Sequence, residues 1–117
     1  MSTNSQIAFT PLGKTIVVAA AASAPVGIQA PVYAKFNAQS AGQYRFINAG
    51  TTTVFLGTGA NATDATANAV APVAGTPSAA IVLVPGAVEV LRFNIDTYFS
   101  GLSSAAATVY ITPGQGL

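Results

Sequence analysis

The chain has 117 residues, 51% of them hydrophobic and only 6% charged, a net charge of +1, and no Cys, His or Trp. That length gives one domain and not two: a folded monomer of 11.6 kDa exposes roughly 5,800 Å² of the roughly 17,000 Å² of its extended chain, so a core can form. The missing Cys and His exclude disulfides, zinc sites built on those residues and nucleophile–histidine triads, and Lys14, Lys35, Arg45 and Arg92 are too scattered to form a basic stripe for nucleic acid.

Met1–Gln6, MSTNSQ, is polar and uncharged, and residues 1–10 are expected to form an extended N-terminal arm. Lys14 followed by TIVVAAAASA has the order of a signal peptide, but thirteen uncharged residues precede it and its apolar run is mostly Ala. No apolar stretch approaches the ~20 residues of a membrane span. The expectation is a protein made and used without export, with no membrane partner.

From residue 11 to 117, short β-branched and aromatic runs are punctuated by Gly and Pro, which predicts an all-β domain. The predicted strands are Thr15–Ala20, Val26–Ala30, Val32–Phe36, Gln43–Asn48, Thr52–Gly57, Ala80–Val84, Val88–Phe93, Tyr98–Leu102 and Thr108–Thr112. Asn48-Ala49-Gly50 suits a hairpin loop closed by Gly in a left-handed conformation. Pro85-Gly86 suits a type II turn closing a second hairpin. Between them, Thr58–Ser78 lacks strand character and carries Pro72 and Pro77; a loop this long is functional or poorly ordered until bound. A helical turn over Thr63–Asn68, with Thr63 as N-cap, is expected inside it.

Alternation places Tyr44 and Phe46 on one face and Arg45 and Ile47 on the other. Val88, Val90 and Arg92 likewise oppose Glu89, Leu91 and Phe93. Apolar residues on both faces imply that something covers the outside, because an isolated sandwich shows polar side chains there. The charge count agrees. Seven charged residues, where about a quarter of an average protein is charged, leave on the order of 800 Å² of surface per charge, the area one partner gives to a standard interface.

Four patterns invite a chemical reading. Gly57-x-Gly59-x-x-Ala62 looks like a dinucleotide loop, but that loop needs a parallel βαβ unit with a long helix, so these glycines are expected to end a strand. Asn61-Ala62-Thr63 matches a glycosylation acceptor, which a chain that is not exported never uses. Glu89 and Asp96 do not face one another across a cleft as a glycosidase requires; Glu89 is expected to pair with Arg45 or Arg92, and Asp96 with backbone amides in its turn. Tyr33, Tyr44, Tyr98 and Tyr110 suit sheet edges and subunit interfaces better than a sugar platform. The chain is not expected to be an enzyme or to hold a cofactor or metal.

The run YRFINAGTTTVFLGTG, the small-residue loop, and then AAIVLVPGAVEVLRFNIDTYFSGLSSAAATVYITPGQG together resemble the small Ala/Gly/Thr-rich virion proteins of tailed bacteriophages, of the capsid decoration or cement type. The resemblance implies a single-domain, jelly-roll-like antiparallel β-sandwich forming a homodimer or homotrimer. It implies a structural role on the outer surface of the head, cementing neighbouring major capsid proteins against the pressure of packaged DNA, after synthesis in the bacterial host cytoplasm. It brings no catalytic, cofactor-binding or metal residues. Residues 1–10 and the Thr58–Ser78 loop are then the expected contacts with capsid subunits. The alternatives are a tail, neck or fibre component, or a receptor- or glycan-binding module centred on Phe93–Phe99, FNIDTYF.

Overall fold

Each β-branched or aromatic run becomes a strand, and the Gly- and Pro-bearing breaks become the places where the chain changes sheet. The computed structural model describes residues 9–11, 13–29, 41–94 and 96–115; the expected strand Val32–Phe36 and residues 1–8 of the expected arm lie outside them. The elements are β1 (Thr10–Pro11), β2 (Ile16–Ala20), β3 (Ile28–Gln29), β4 (Ala41–Asn48), β5 (Val54–Gly59), α1 (Ala62–Asn68), β6 (Ile81–Leu83), β7 (Val88–Asn94), β8 (Tyr98–Ser103) and β9 (Ala107–Gln115).

Two antiparallel sheets result. The first has the order β1–β9–β4–β7, with β2 also pairing β9, and the second has the order β3–β8–β5–β6. Of consecutive strands, only β5 and β6 pair with each other among the described residues. Both expected hairpins are therefore corrected. β4 and β5 lie in different sheets, as do β6 and β7. The turn chemistry at Pro85-Gly86 is right, with Gly86 at φ 80 and Ala87 N–H donating to Val84 O at 2.9 Å, but the turn carries the chain across the sandwich. Gly50 is not left-handed; a Cβ there would meet Ala107 Cβ at 2.6 Å, so glycine serves close approach.

The reason both turns cross is Asn48, which is fully buried. Its Nδ2 donates to Leu83 O at 2.8 Å and to Thr52 O at 3.0 Å, and its Oδ1 accepts from Gly50 N–H at 3.0 Å. Its backbone N–H donates to Ala87 O at 3.0 Å and its O accepts from Gly86 N–H at 2.9 Å. One residue thus satisfies the polar backbone of two neighbouring inter-sheet corners.

Between the sheets lies the core, with Val18, Tyr44, Phe46, Val109 and Ile111 from the first sheet against Val54, Leu56, Leu83 and Phe99 from the second. Tyr44, Phe46, Phe93 and Phe99 form one cluster in which every pair of ring centroids lies 5.2–6.4 Å apart, the range of favourable edge and offset contacts. β9 continues past the expected end at Thr112. Pro113 faces Tyr44 in a non-hydrogen-bonded pair, so its missing N–H points at the other neighbour, where pairing is interrupted between Pro11 and Ile16.

The helix α1 forms where a helical turn was expected, but its N-cap is Asn61 rather than Thr63. Asn61 is extended, at φ −147 and ψ 172, and its Oδ1 accepts from Asp64 N–H at 2.9 Å, satisfying a donor the first helical turn leaves open. The helix lies against β5 and β8 because Gly57 and Gly59 leave room. A Cβ at Gly59 would meet Asp64 Cβ at 2.6 Å, and one at Gly57 would run into the backbone of Ala65 and Ala69.

Replacing Asn48 with Ala strands the Leu83 and Thr52 carbonyls and the Gly50 N–H. At 1–3 kcal/mol for each unmet buried group, the expected loss is at least about 3 kcal/mol, read as a lower midpoint in urea unfolding, and Asn48→Asp, which keeps the acceptor but aims a buried carboxylate at two carbonyl oxygens, should cost no less.

Candidate functional site

Two parts of the surface stand out once the strands are in register. On the outer face of the first sheet, Val17 lies opposite Tyr110, Tyr110 opposite Ile47, and Ile47 opposite Val88. An apolar row therefore crosses β2, β9, β4 and β7, four of the five strands of this sheet. Val17 is 49% exposed, Tyr110 40%, Val88 58% and the adjacent Val90 41%, so three members of the row are open and Ile47 is half-buried. The cations of this face sit further along the strands. Arg45 lies opposite Val90 and Arg92 opposite Gln43, and the Arg45 guanidinium is 5.3 Å from the centroid of the Phe9 ring, a cation–π distance.

The second sheet shows its outer face differently. There α1 covers the Gly57–Gly59 end of β5, and Pro25 O accepts from Ser100 Oγ at 2.6 Å and Thr66 Oγ1 at 2.8 Å, tying the β2–β3 connection to helix and sheet. The row Val82–Phe55–Leu102 stays partly open.

The other part is a cleft of about 750 Å³ lined by Thr58, Gly59, Ala60, Phe93, Asn94, Asp96 and Thr97. It lies between the end of β5 and the bend from β7 to β8. Asn94 O accepts from Thr97 N–H at 3.1 Å, Thr97 Oγ1 at 2.8 Å and the Tyr44 hydroxyl at 3.3 Å. Gln29 Nε2 donates to Asp96 O at 3.0 Å. The bend expected around Asp96 is thus closed by Thr97, not by the Asp96 carboxylate. Burial, and after it the negative charge of Asp96, pushes the Tyr44 hydroxyl up to about 12.

The remaining expected residues are dispersed. Glu89 lies opposite Phe46, on the parity opposite to Arg45 and Arg92, and forms no ion pair with either among the described residues. About 17 Å of extended strand separates Glu89 from Asn94, so Glu89 and Asp96 are not brought to one cleft. Tyr44 is buried in the core, Tyr98 half-buried and Tyr110 on the outer face, while Tyr33 and Lys35 lie outside the described residues. Gly57 and Gly59 do end a strand, flanked by antiparallel partners and followed by seven helical residues. Among the described residues no three His, Cys, Asp or Glu side chains gather as a metal site, and no helix is long and apolar enough to cross a membrane. What sequence reasoning missed is the apolar row, whose members are 22 to 93 positions apart, the local closure of the bend by Thr97, and Gln29, whose hydrogen bond to Asp96 O spans 67 positions.

Because unfolded tyrosine ionises near 10 and Tyr44 only near 12, the folded state binds the extra proton in that window. Stability is full below pH 10 and falls as pH rises through 12. The difference in unfolding free energy between the native chain and Tyr44→Phe should shift by about 2 kcal/mol against the native chain from pH 9 to pH 12, measured by urea unfolding of both at each pH.

No protein-family model, curated protein or solved structure matches the chain.

Proposed function

We propose that this protein is a structural subunit of a virus particle, a capsid decoration protein of the tailed-bacteriophage kind that binds the outside of the shell and joins neighbouring major capsid proteins. The observation that carries the reading is the uncharged apolar row Val17–Tyr110–Ile47–Val88 across the outer face of the first sheet. Such a face is costly in water and gains free energy when covered. With three acidic and four basic residues in the whole chain, little charge opposes association.

The finer fold is proposed as a jelly roll. Eight strands, β2 to β9, wrapping as β2–β9–β4–β7 over β3–β8–β5–β6 support it, since jelly rolls are double-sheet wraps of this size and recur in viral capsid and lectin domains. Cementing needs no catalytic group. It needs contacts that repeat over a symmetric lattice, where each later contact forms at high effective concentration and weak patches add to firm adhesion. The row makes the homodimer or homotrimer in this reading, and the part of the N-terminal arm before Phe9 reaches the capsid.

Undecorated, expanded phage shells mixed with the purified protein should pellet it at a fixed, saturable ratio to the major capsid protein. Absence of binding would move the protein to a tail, neck or fibre position. Separately, Val17→Glu with Val88→Glu, both exposed, should leave the circular-dichroism spectrum of the folded chain unchanged and convert the oligomer to monomer by analytical ultracentrifugation; an unchanged oligomer would show that the row is not the subunit contact.

A further inference from the structure

The cleft at the β7–β8 bend is built more firmly than a connection requires. Asn94 O receives three donors and Asp96 O a fourth, from the β3 residue Gln29. These bonds fix the backbone. The side chains of Asn94 and Asp96 are exposed and make no hydrogen bond among the described residues, so neither contributes to closing the bend. The fold therefore holds a carboxamide and a carboxylate, two planar groups two positions apart, on backbone carbonyls that are each hydrogen-bonded, at the rim of a cleft. Beside them are the half-buried Phe93 ring and the Thr58–Ala60 backbone. Preorganised polar groups next to an apolar wall are what small-ligand sites have in common, and about 750 Å³ falls within their usual range of roughly 300–1,000 Å³.

The chemistry of the lining narrows the ligand. Among the described residues the only charged group of the lining is Asp96, with no Lys or Arg, a charge that disfavours phosphates, sulfates and acidic sugars. No three His, Cys, Asp or Glu side chains gather there among the described residues, so a divalent cation would find few of the anionic ligands it favours. A neutral molecule rich in hydroxyls fits. A carboxylate can accept from two adjacent hydroxyls and a carboxamide can both donate and accept, while the C–H face of a pyranose suits an apolar ring such as Phe93.

We propose that the Asn94–Asp96 cleft binds a neutral saccharide of one or two pyranose units. The proposal does not depend on the assembly reading, since the cleft and the apolar row share no residue. A virion subunit without sugar binding and a sugar binder that ignores shells are distinguishable outcomes.

The test is an amide-shift titration of the full ¹⁵N-labelled chain with N-acetylglucosamine, galactose, glucose, mannose and their neutral disaccharides. Glucose 6-phosphate and N-acetylneuraminic acid serve as anionic controls, and methylammonium as a cationic one. The expected result is a saturable response to at least one neutral sugar, confined to residues 58–60 and 93–97, with Kd on the order of 1 mM. Asn94→Ala and Asp96→Ala should each weaken it about tenfold while the remaining spectrum, which reports the fold, is unchanged. A silent cleft with every neutral sugar overturns the proposal, as does binding that survives the double variant. Stronger binding of methylammonium than of any sugar would overturn it too, by making the cleft a cation site.

Discussion

The two sheets are held in register by the buried carboxamide of Asn48, on which both neighbouring corners depend. A hairpin turn satisfies its own backbone within one ladder. A strand that leaves its sheet does not, and its last carbonyls and amides must find partners elsewhere or remain unmet in an apolar interior. Asn48 supplies two donors and an acceptor from its side chain and a donor and an acceptor from its backbone, serving Thr52, Leu83, Gly50, Ala87 and Gly86. A fully satisfied polar group of this kind specifies an arrangement as well as stabilising it. Leu or Val would fill the volume and leave the corners without partners. Nearly every strand then pairs across a long stretch of chain, and the aromatic cluster draws its four rings from β4, β7 and β8. Topologies dominated by such long-range pairing fold slowly, because loop closure comes before the contacts that offset it.

Much of the strand content was legible because burial imposes period two. Tyr44 and Phe46 point inward where alternation placed them, and the predicted strands from Gln43 to Thr112 appear with ends displaced by at most three residues. Their partners were not legible. Pro85-Gly86 has the chemistry of a type II turn whether the following strand doubles back or crosses over, and local residues do not encode which. The crossing is decided by Asn48, 37 positions earlier. Gly50 likewise looked like a residue chosen for φ, but it is glycine for a neighbour 57 positions later, Ala107. The N-cap was misplaced for a local reason. Asn61 and Thr63 are both capping residues, and only the extended backbone at Asn61 separates them. The FNIDTYF bend was visible as the one segment with polar and aromatic side chains together, but Thr58–Ala60, which forms the other wall of its cleft, comes from a strand that no periodicity connects to it.

The small residues that dominate the composition have a structural use at α1. A helix of seven residues has little stability of its own. It persists by lying close to the sheet, with Ala62, Ala65 and Ala69 against Gly27, Gly57 and Gly59. Bulky side chains on either surface would hold it away, and the Asn68 Nδ2 bond to Thr58 O at 2.7 Å would open. The same economy makes the two outer faces unequal. The second sheet carries a helix made from its own β5–β6 connection. On the first sheet, Phe9 lies over Arg45, and the row from Val17 to Val88 stays open.

The geometry also keeps the two proposed surfaces from competing. β7 runs about 20 Å from Val88 to Asn94 at the usual strand rise, with Val88 beside the Asn48 corner and Asn94 at the cleft. Ile47, Tyr110 and Val17 share the Val88 end of the first sheet, whereas Thr58–Ala60 share the Asn94 end of the second. A neighbour seated on the apolar row therefore covers the corner end of the sandwich and leaves the bend at the opposite end open to solvent. The row itself carries no charge, and Arg45, Arg92 and Asp96 lie toward the Asn94 end, while Glu89, beside Val88, projects from the opposite side of the sheet. One short strand thus separates a face whose free energy improves when water leaves from a cleft whose polar groups need access to solvent and ligand.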